Sequence, residues 1–215
     1  MKECAGVDNL QPIYDRKGLT LVELMIVMAL SLLLMAAVYT TYSIQKKTSD
    51  VQNEVAAVQQ DLRAVLDIMA RDIRQAGCNP TLAPDINDPS IANSCGILAA
   101  QSGPTSLVIN MDANGDGSTG GEQVNYTLSG TNLSRNGEDL AYNVSSFEFR
   151  YYDNNDNIIV PELSGGTQLS DAQGLDVRIV RVFIRIQSDK KDPDTNQPVE
   201  REMTKQIKMR NMGLL

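Results

Sequence analysis

Apolar positions follow three different patterns along this chain. Residues 19–39, LTLVELMIVMALSLLLMAAVY, are apolar almost without interruption, with Thr20, Glu23 and Ser31 as the polar exceptions. A helix over this run is about 30 Å long, the thickness of a bilayer core. A cleaved secretory signal has a shorter apolar run that ends in small residues at the cut. This run passes instead into Tyr39, Thr40, Thr41 and Tyr42, so it predicts a retained membrane helix. Val51, Val55, Val58, Leu62, Val65, Leu66, Met69 and Ile73 then recur at spacings of three and four. That is one apolar stripe on a polar helix. No Gly or Pro occurs from Leu19 through Ala76, and Gly77 and Pro80 follow as stop signals. One continuous helix of about 58 residues, roughly 87 Å long, is expected. Its second half must lay its stripe against something.

The remainder supplies that partner. Residues 79–103 read as loop, rich in Pro and Asn. Strand-like runs follow at Ser106–Asn110, Glu122–Leu128, Asn132–Arg135, Val144–Asp153, Leu175–Gln187 and Arg201–Met209, with Asn136-Gly137 as a strong turn signal. In Leu175–Gln187 the apolar phase changes from odd (Val177, Ile179) to even (Val180, Val182, Ile184, Ile186), and a bulge near Ile179–Val180 is the expected cause. The gaps are too short for crossover helices, so the sheet should be antiparallel, with one face on the helix and one in water. The fold class is α+β: a long N-terminal helix packed on an antiparallel β-sheet head.

Charge and composition narrow the function. Lys and Arg number 19 against 27 Asp and Glu, giving −8, and aromatics are 5% with no Trp. Such a chain repels phosphate and has few rings to stack on bases, so nucleic acid is not an expected partner. The absence of His removes His bases, Ser-His and Cys-His pairs and His-ligated metals. With no activated nucleophile and no Gly-rich phosphate loop, nothing supports an enzyme. Cys4, Cys78 and Cys95 are too few for a zinc site. Outside the cytosol, Cys78 and Cys95 read as one disulfide, worth roughly 3 kcal/mol by loop closure; otherwise they are two unrelated buried thiols. Basic residues on both sides of the apolar run, Arg16 and Lys17 before and Lys46 and Lys47 after, leave its orientation open. Glu23 is the anomaly inside that run, because a carboxylate at the centre of a membrane helix costs roughly 2.5–3.5 kcal/mol. Either it has a function, or it lies at the membrane edge and reaches water beside the positive end of the helix dipole.

Lys17-Gly18 followed by Leu19-Thr20-Leu21-Val22-Glu23 and an apolar helix resembles the class III signal of type IV prepilins and type II secretion pseudopilins. Leu19 stands where that family usually has Phe. The resemblance implies cleavage after Gly18 by a prepilin peptidase on the cytoplasmic side and N-methylation of the new terminus, Leu19. It implies that Glu23 neutralises the terminal ammonium of a neighbouring subunit as helices stack. It also implies a single-pass inner-membrane protein with a periplasmic head, later part of a pilus or pseudopilus beside other pilins or pseudopilins. Arg71-Asp72-Ile73-Arg74-Gln75-Ala76-Gly77, Val124-Asn125-Tyr126, Leu133-Ser134-Arg135, Phe147-Glu148-Phe149-Arg150-Tyr151 and Met209-Arg210-Asn211 are similar, in order, to pieces of minor pilins of the PilW type and pseudopilins of the GspJ type. On this resemblance residues 1–18 are a leader, 19–42 the hydrophobic half of the helix, 43–77 its amphipathic half and 78–215 the β-rich head. The implied function is a structural minor subunit that helps initiate or cap assembly of a type IV pilus or type II secretion pseudopilus.

Residues 111–121, MDANGDGSTGG, carry separate chemistry. Asp112, Asn114, Asp116 and Gly117 match the front half of an EF-hand-type loop, in which alternate oxygens turn toward a hard cation. The closing position holds Gln123, and Glu122 comes one residue early. Asp112, Asn114, Asp116 and Glu122 are therefore a candidate calcium set, and a metal-free hairpin tip of Asn-Gly and Asp-Gly turns is the alternative. Asp153-Asn154-Asn155-Asp156-Asn157 lacks the Gly and reads as a plain turn. With the calcium loop, a membrane-anchored extracytoplasmic adhesion module is the second functional reading.

Overall fold

The long stretch without Gly or Pro forms one helix, α1 (Leu21–Gln75, 55 residues). The computed structural model describes residues 18–77, 96–112, 114–116, 119, 121–162, 165–192 and 195–210. Cys4, Cys78 and Cys95, with the disulfide expected of the last two, lie outside the described residues. The chain divides into two compact units, residues 1–48 and 49–215.

In the first unit the described residues 18–48 are almost all exposed. Leu21, Leu32, Leu34 and Met35 are each 69–76% accessible, on different sides of the helix. Leaving side chains of this size in water forfeits roughly 1.5–3 kcal/mol apiece. Ser31, Thr40 and Thr41 return their hydroxyls to the helix carbonyls of Met28 (2.8 Å) and Ala37 (2.8 and 3.0 Å), so the helix carries few unpaired donors on its apolar surface. Among the described residues, α1 is the helix long and apolar enough to cross a membrane.

In the second unit the stripe is buried. Val58, Leu62, Val65, Leu66, Met69 and Ile73 are core residues. The helix ends as its sequence dictates: Gly77 takes φ 76°, and the last turn hands its carbonyls to the head, Arg74 O accepting from Arg210 N at 3.3 Å. Two sheets face it where one was expected. The first contains β1 (Gly96–Ile97), β2 (Ser106–Asn110), β3 (Gln123–Ser129), β4 (Asn132–Arg135) and β5 (Glu138–Ala141), paired in chain order. Asn136 and Gly137, at φ 53° and 83°, make the tight β4–β5 turn. The second contains β6 (Val144–Tyr152), β7 (Ile158–Ile159), β8 (Ile179–Lys191) and β9 (Pro198–Lys208), in the order β7-β6-β8-β9. Every pairing is antiparallel. Phe147, Phe149, Val180, Val182 and Ile184 face the core, while Arg150, Arg181 and Arg185 alternate on the other face.

The expected bulge at Ile179–Val180 is not there. Register runs evenly through Ile179↔Tyr152 and Val180↔Tyr151, and the irregularities fall at Val144/Ser146 and Gln187/Lys191. The phase change has another cause. Residues 171–176 form a short helix, α2 (Asp171–Asp176), closed by a Ser170–Gln173 capping box. Val177 is buried in the connection after it and Ile179 at the first position of the strand, so alternation runs only from Val180.

One buried polar contact ties α1 to the first sheet. Asp72, 7% accessible, accepts from the Tyr126 hydroxyl at 2.6 Å and from Arg135 Nε at 2.8 Å. Burial and the adjacent carboxylate push the Tyr126 hydroxyl far above its ordinary pKa, and Asp72 raises that of Arg135. At the surface, Lys205 Nζ reaches Asp67 Oδ1 at 2.6 Å, joining α1 to β9 and holding the Asp67 carboxyl below its usual range.

Asp72→Ala leaves the Tyr126 hydroxyl buried without its acceptor and Arg135 without its counter-charge. A loss of about 2–4 kcal/mol is expected, against about 1.5–3 kcal/mol for Tyr126→Phe, which removes one hydrogen bond to a charged group. Thermal and denaturant melting of the detergent-solubilised chain measures both, and equal melting of Asp72→Ala and wild type contradicts the tie.

Candidate processing and assembly site

Residues 18–20 precede α1 without helical structure, and all three are exposed. A Cβ built on Gly18 meets nothing within 4 Å. Neither the fold nor crowding requires glycine there.

Thr20 and Glu23 start the helix. Glu23 N donates to Thr20 Oγ1 at 3.2 Å, and Thr20 N returns a bond to Glu23 Oε2 at 2.9 Å. This is a reciprocal capping box. The Thr20 hydroxyl donates to the same Oε2 at 2.9 Å, so both contacts to the carboxylate use one oxygen. The box gives Glu23 a role within its own chain that its burial cost alone did not reveal. Thr20-Leu21-Val22-Glu23 is the Thr-x-x-Glu signature itself, immediately before an apolar run.

The acidic loop joins β2 to β3. Asp112 is buried, and its Oδ1 accepts from the amides of Gly115 (2.8 Å) and Asp116 (3.1 Å). Asn114 turns its amide nitrogen to Asp116 Oδ2 at 3.0 Å. Glu122 folds back across the loop, Oε1 accepting from Asn114 N at 3.1 Å. The loop therefore gathers Asp112, Asn114, Asp116 and Glu122. Their oxygens suit a hard cation, but among the described residues no three carboxylate or thiol groups converge on a common point. Asp112 and Glu122 are engaged with backbone amides, and Asp116 with the side-chain amide of Asn114. A cation here requires Asn114 to turn its oxygen inward and the carboxylates to exchange amides for metal.

Asp153 shows the plain turn. It accepts from the amides of Asn155 and Asn157 at 2.7 and 2.9 Å, and the Asn157 contacts hold its carboxyl below the usual range.

A family model described as prepilin peptidase-dependent protein B matches residues 52–209. A prokaryotic N-terminal methylation motif matches residues 14–39, which include Gly18, Leu19, Thr20 and Glu23. Among curated proteins no match is found.

Thr20→Val should uncover the first turn, because the hydroxyl that accepts from the Glu23 amide is gone. Hydrogen exchange at Glu23 in the detergent-solubilised chain should quicken, while amides in the middle of α1 stay as protected as before. Unchanged exchange at Glu23 means that the cap contributes nothing.

Proposed function

Since the chain belongs to the family of prepilin peptidase-dependent protein B, we propose that it is a minor pilin or pseudopilin, of the PilW or GspJ type, that helps initiate or cap a type IV pilus or type II secretion pseudopilus. It acts as a structural subunit and not as an enzyme. Residues 1–18 form the leader. Prepilin peptidase cuts after Gly18, Leu19 becomes the N-methylated terminus, and the β-rich head lies in the periplasm. The observation that carries the reading is the junction itself. An exposed, non-helical Gly18–Leu19 bond stands directly before a capped helix whose apolar surface no described residue of its own unit covers. A membrane, and then the helices of neighbouring subunits, would cover that surface.

Glu23 fits the stacking role beside its capping role. The cap uses Oε2, and the terminal ammonium of a neighbouring subunit would pair with Oε1, offsetting the cost of a carboxylate in an apolar setting. Gly18→Ala should leave the leader attached, as read by mass spectrometry of the purified chain. The open space at Gly18 makes this a test of peptidase recognition and not of folding. Glu23→Gln separates the two roles of Glu23, because Gln also closes a capping box but carries no charge. Both Glu23→Gln and Glu23→Ala should reduce co-purification with other pilin-like subunits. A Glu23→Gln protein that assembles normally reduces Glu23 to a helix cap.

The head is stabilised further, on this reading, by the Cys78–Cys95 disulfide and by weak calcium binding at Asp112, Asn114, Asp116 and Glu122. Support for calcium comes from the donor types and from Glu122 folding back over the loop. Calcium at a hundredfold excess over its dissociation constant adds about 2.7 kcal/mol. Melting with millimolar calcium should exceed melting with chelator in wild type but not in Asp112→Ala/Asp116→Ala. Alkylation mapping of the same preparation should find Cys78 and Cys95 blocked. Coincident melting curves in calcium and chelator leave the loop a turn, and two alkylated thiols remove the disulfide.

A further inference from the structure

On the outer face of the second sheet, Arg150 of β6 and Arg181 of β8 are register partners. Like charges placed directly opposite each other destabilise a sheet, and here they are only partly compensated. Arg150 Nη2 lies 2.8 Å from Glu148 Oε2. Arg181 donates from Nη2 to the neutral amide oxygen of Gln206 at 3.3 Å, and its guanidinium carbon sits 4.7 Å from the centroid of the Tyr152 ring. Among the described residues no carboxylate pairs with Arg181. Arg185, four residues along the same strand, shows the contrast, because its Nε donates to Glu202 at 3.0 Å.

A shallow basin of about 220 Å³ opens beside the pair, lined by Glu148, Arg150, Arg181, Phe183 and Thr204. Lys208 stands on the same face, opposite Ile179 in register. The β7 edge of this face is apolar and open. Ile158, opposite Tyr152, is 55% accessible, and Val160 is 62% accessible. Gln173 of α2 donates from Nε2 to the Val160 carbonyl at 2.6 Å, so a specific contact holds this edge in place. Arginines, aromatic rings and exposed aliphatics gathered in one patch are the composition of a protein interface.

Charge and spacing identify the occupant. The two guanidiniums have one partner carboxylate, Glu148, and a second carboxylate would complete the pair through directional, two-pronged hydrogen bonds. A polyanion such as nucleic acid or an anionic bilayer is disfavoured, because it meets the field of a chain with net charge −8. A single acidic side chain on a protein segment needs only the local pair. Strands lie about 4.8 Å apart, so the gap between Arg150 and Arg181 is about 7 Å from the line of β7. Residues i and i+2 on one side of an extended segment are also about 7 Å apart. We infer that the outer face of the second sheet binds an extended acidic segment of another protein, with an Asp or Glu between Arg150 and Arg181 and an apolar residue two positions away on Ile158 and Val160.

The test selects random decapeptides displayed on phage against the full-length chain in detergent. Selected peptides should be enriched in Asp or Glu with an apolar residue two positions away. A synthetic peptide of the selected sequence should bind at least tenfold more weakly to Arg181→Gln and to Arg150→Gln, in chains that melt like wild type. Ile158→Ser/Val160→Ser should weaken binding in the same direction. Arg201→Gln, at an exposed arginine whose register places it on the opposite face, should bind the peptide as wild type does. No acidic enrichment, or binding indifferent to both arginine changes, overturns the site. Displacement of the peptide by a thymidine oligonucleotide or by glycerol phosphate as readily as by unlabelled peptide overturns the acidic segment in favour of phosphate recognition. Binding here does not depend on leader removal or on Glu23, so its failure leaves the minor-pilin reading untouched.

Discussion

The carboxylate of Asp72 holds the second unit together. It sits on the buried side of α1 and takes a hydroxyl and a guanidinium from two neighbouring strands, Tyr126 on β3 and Arg135 on β4. A buried charge of this kind is expensive unless it is paired and hydrogen-bonded. Once paired, it fixes more than energy. Apolar side chains such as Leu62, Leu66 and Met69 can slide along a sheet at modest cost. An acid with two specific partners can be satisfied in only one rotation and one axial position of the helix. The rest of the head is arranged around that register: the Arg74 carbonyl meets Arg210, Gly77 N meets the Asn110 carbonyl, and Lys205 reaches Asp67.

The two halves of α1 answer to different surroundings although one run of backbone hydrogen bonds spans them. Up to Thr48 the helix has an apolar surface with no partner among the described residues of its own unit. From Ser49 onward it has a sheet to lie on and polar residues elsewhere. The first half is kept helical by good helix formers, by hydroxyls bonded back to its own carbonyls and by the Thr20–Glu23 box at its start. In a membrane such economy matters, because any unpaired backbone group away from water is costly. Glu23 therefore has a local reason for its place beside the intermolecular one that the family resemblance implies.

Much of this was legible in the sequence because it depends on neighbours within a few residues. The apolar run, the three-and-four stripe, the stop at Gly77, the Asn136-Gly137 turn and the Gly18 to Glu23 motif are local patterns, and backbone geometry translates them directly. The reading failed where a local signal was passed over or a distant contact decided. Ser170 and Gln173 announce α2 by their spacing, and missing that box produced a bulge that does not exist. β1 and β7, two residues each, are too short to show a period.

Sequence alone, then, determined the long helix, its membrane-compatible half, the antiparallel strands that oppose the other half and the processing motif. Asp72, Tyr126 and Arg135 stood in three separate pieces of the family-like pattern, and nothing in any one piece pointed to the others. Tertiary structure brought them together across 54 and 63 positions of chain. It likewise divided the strands between two sheets and set Arg150 opposite Arg181 on the outer face of the second. Periodicity reports which face of an element is apolar; which distant side chains meet there is set by how those faces dock, and docking is a property of the whole chain.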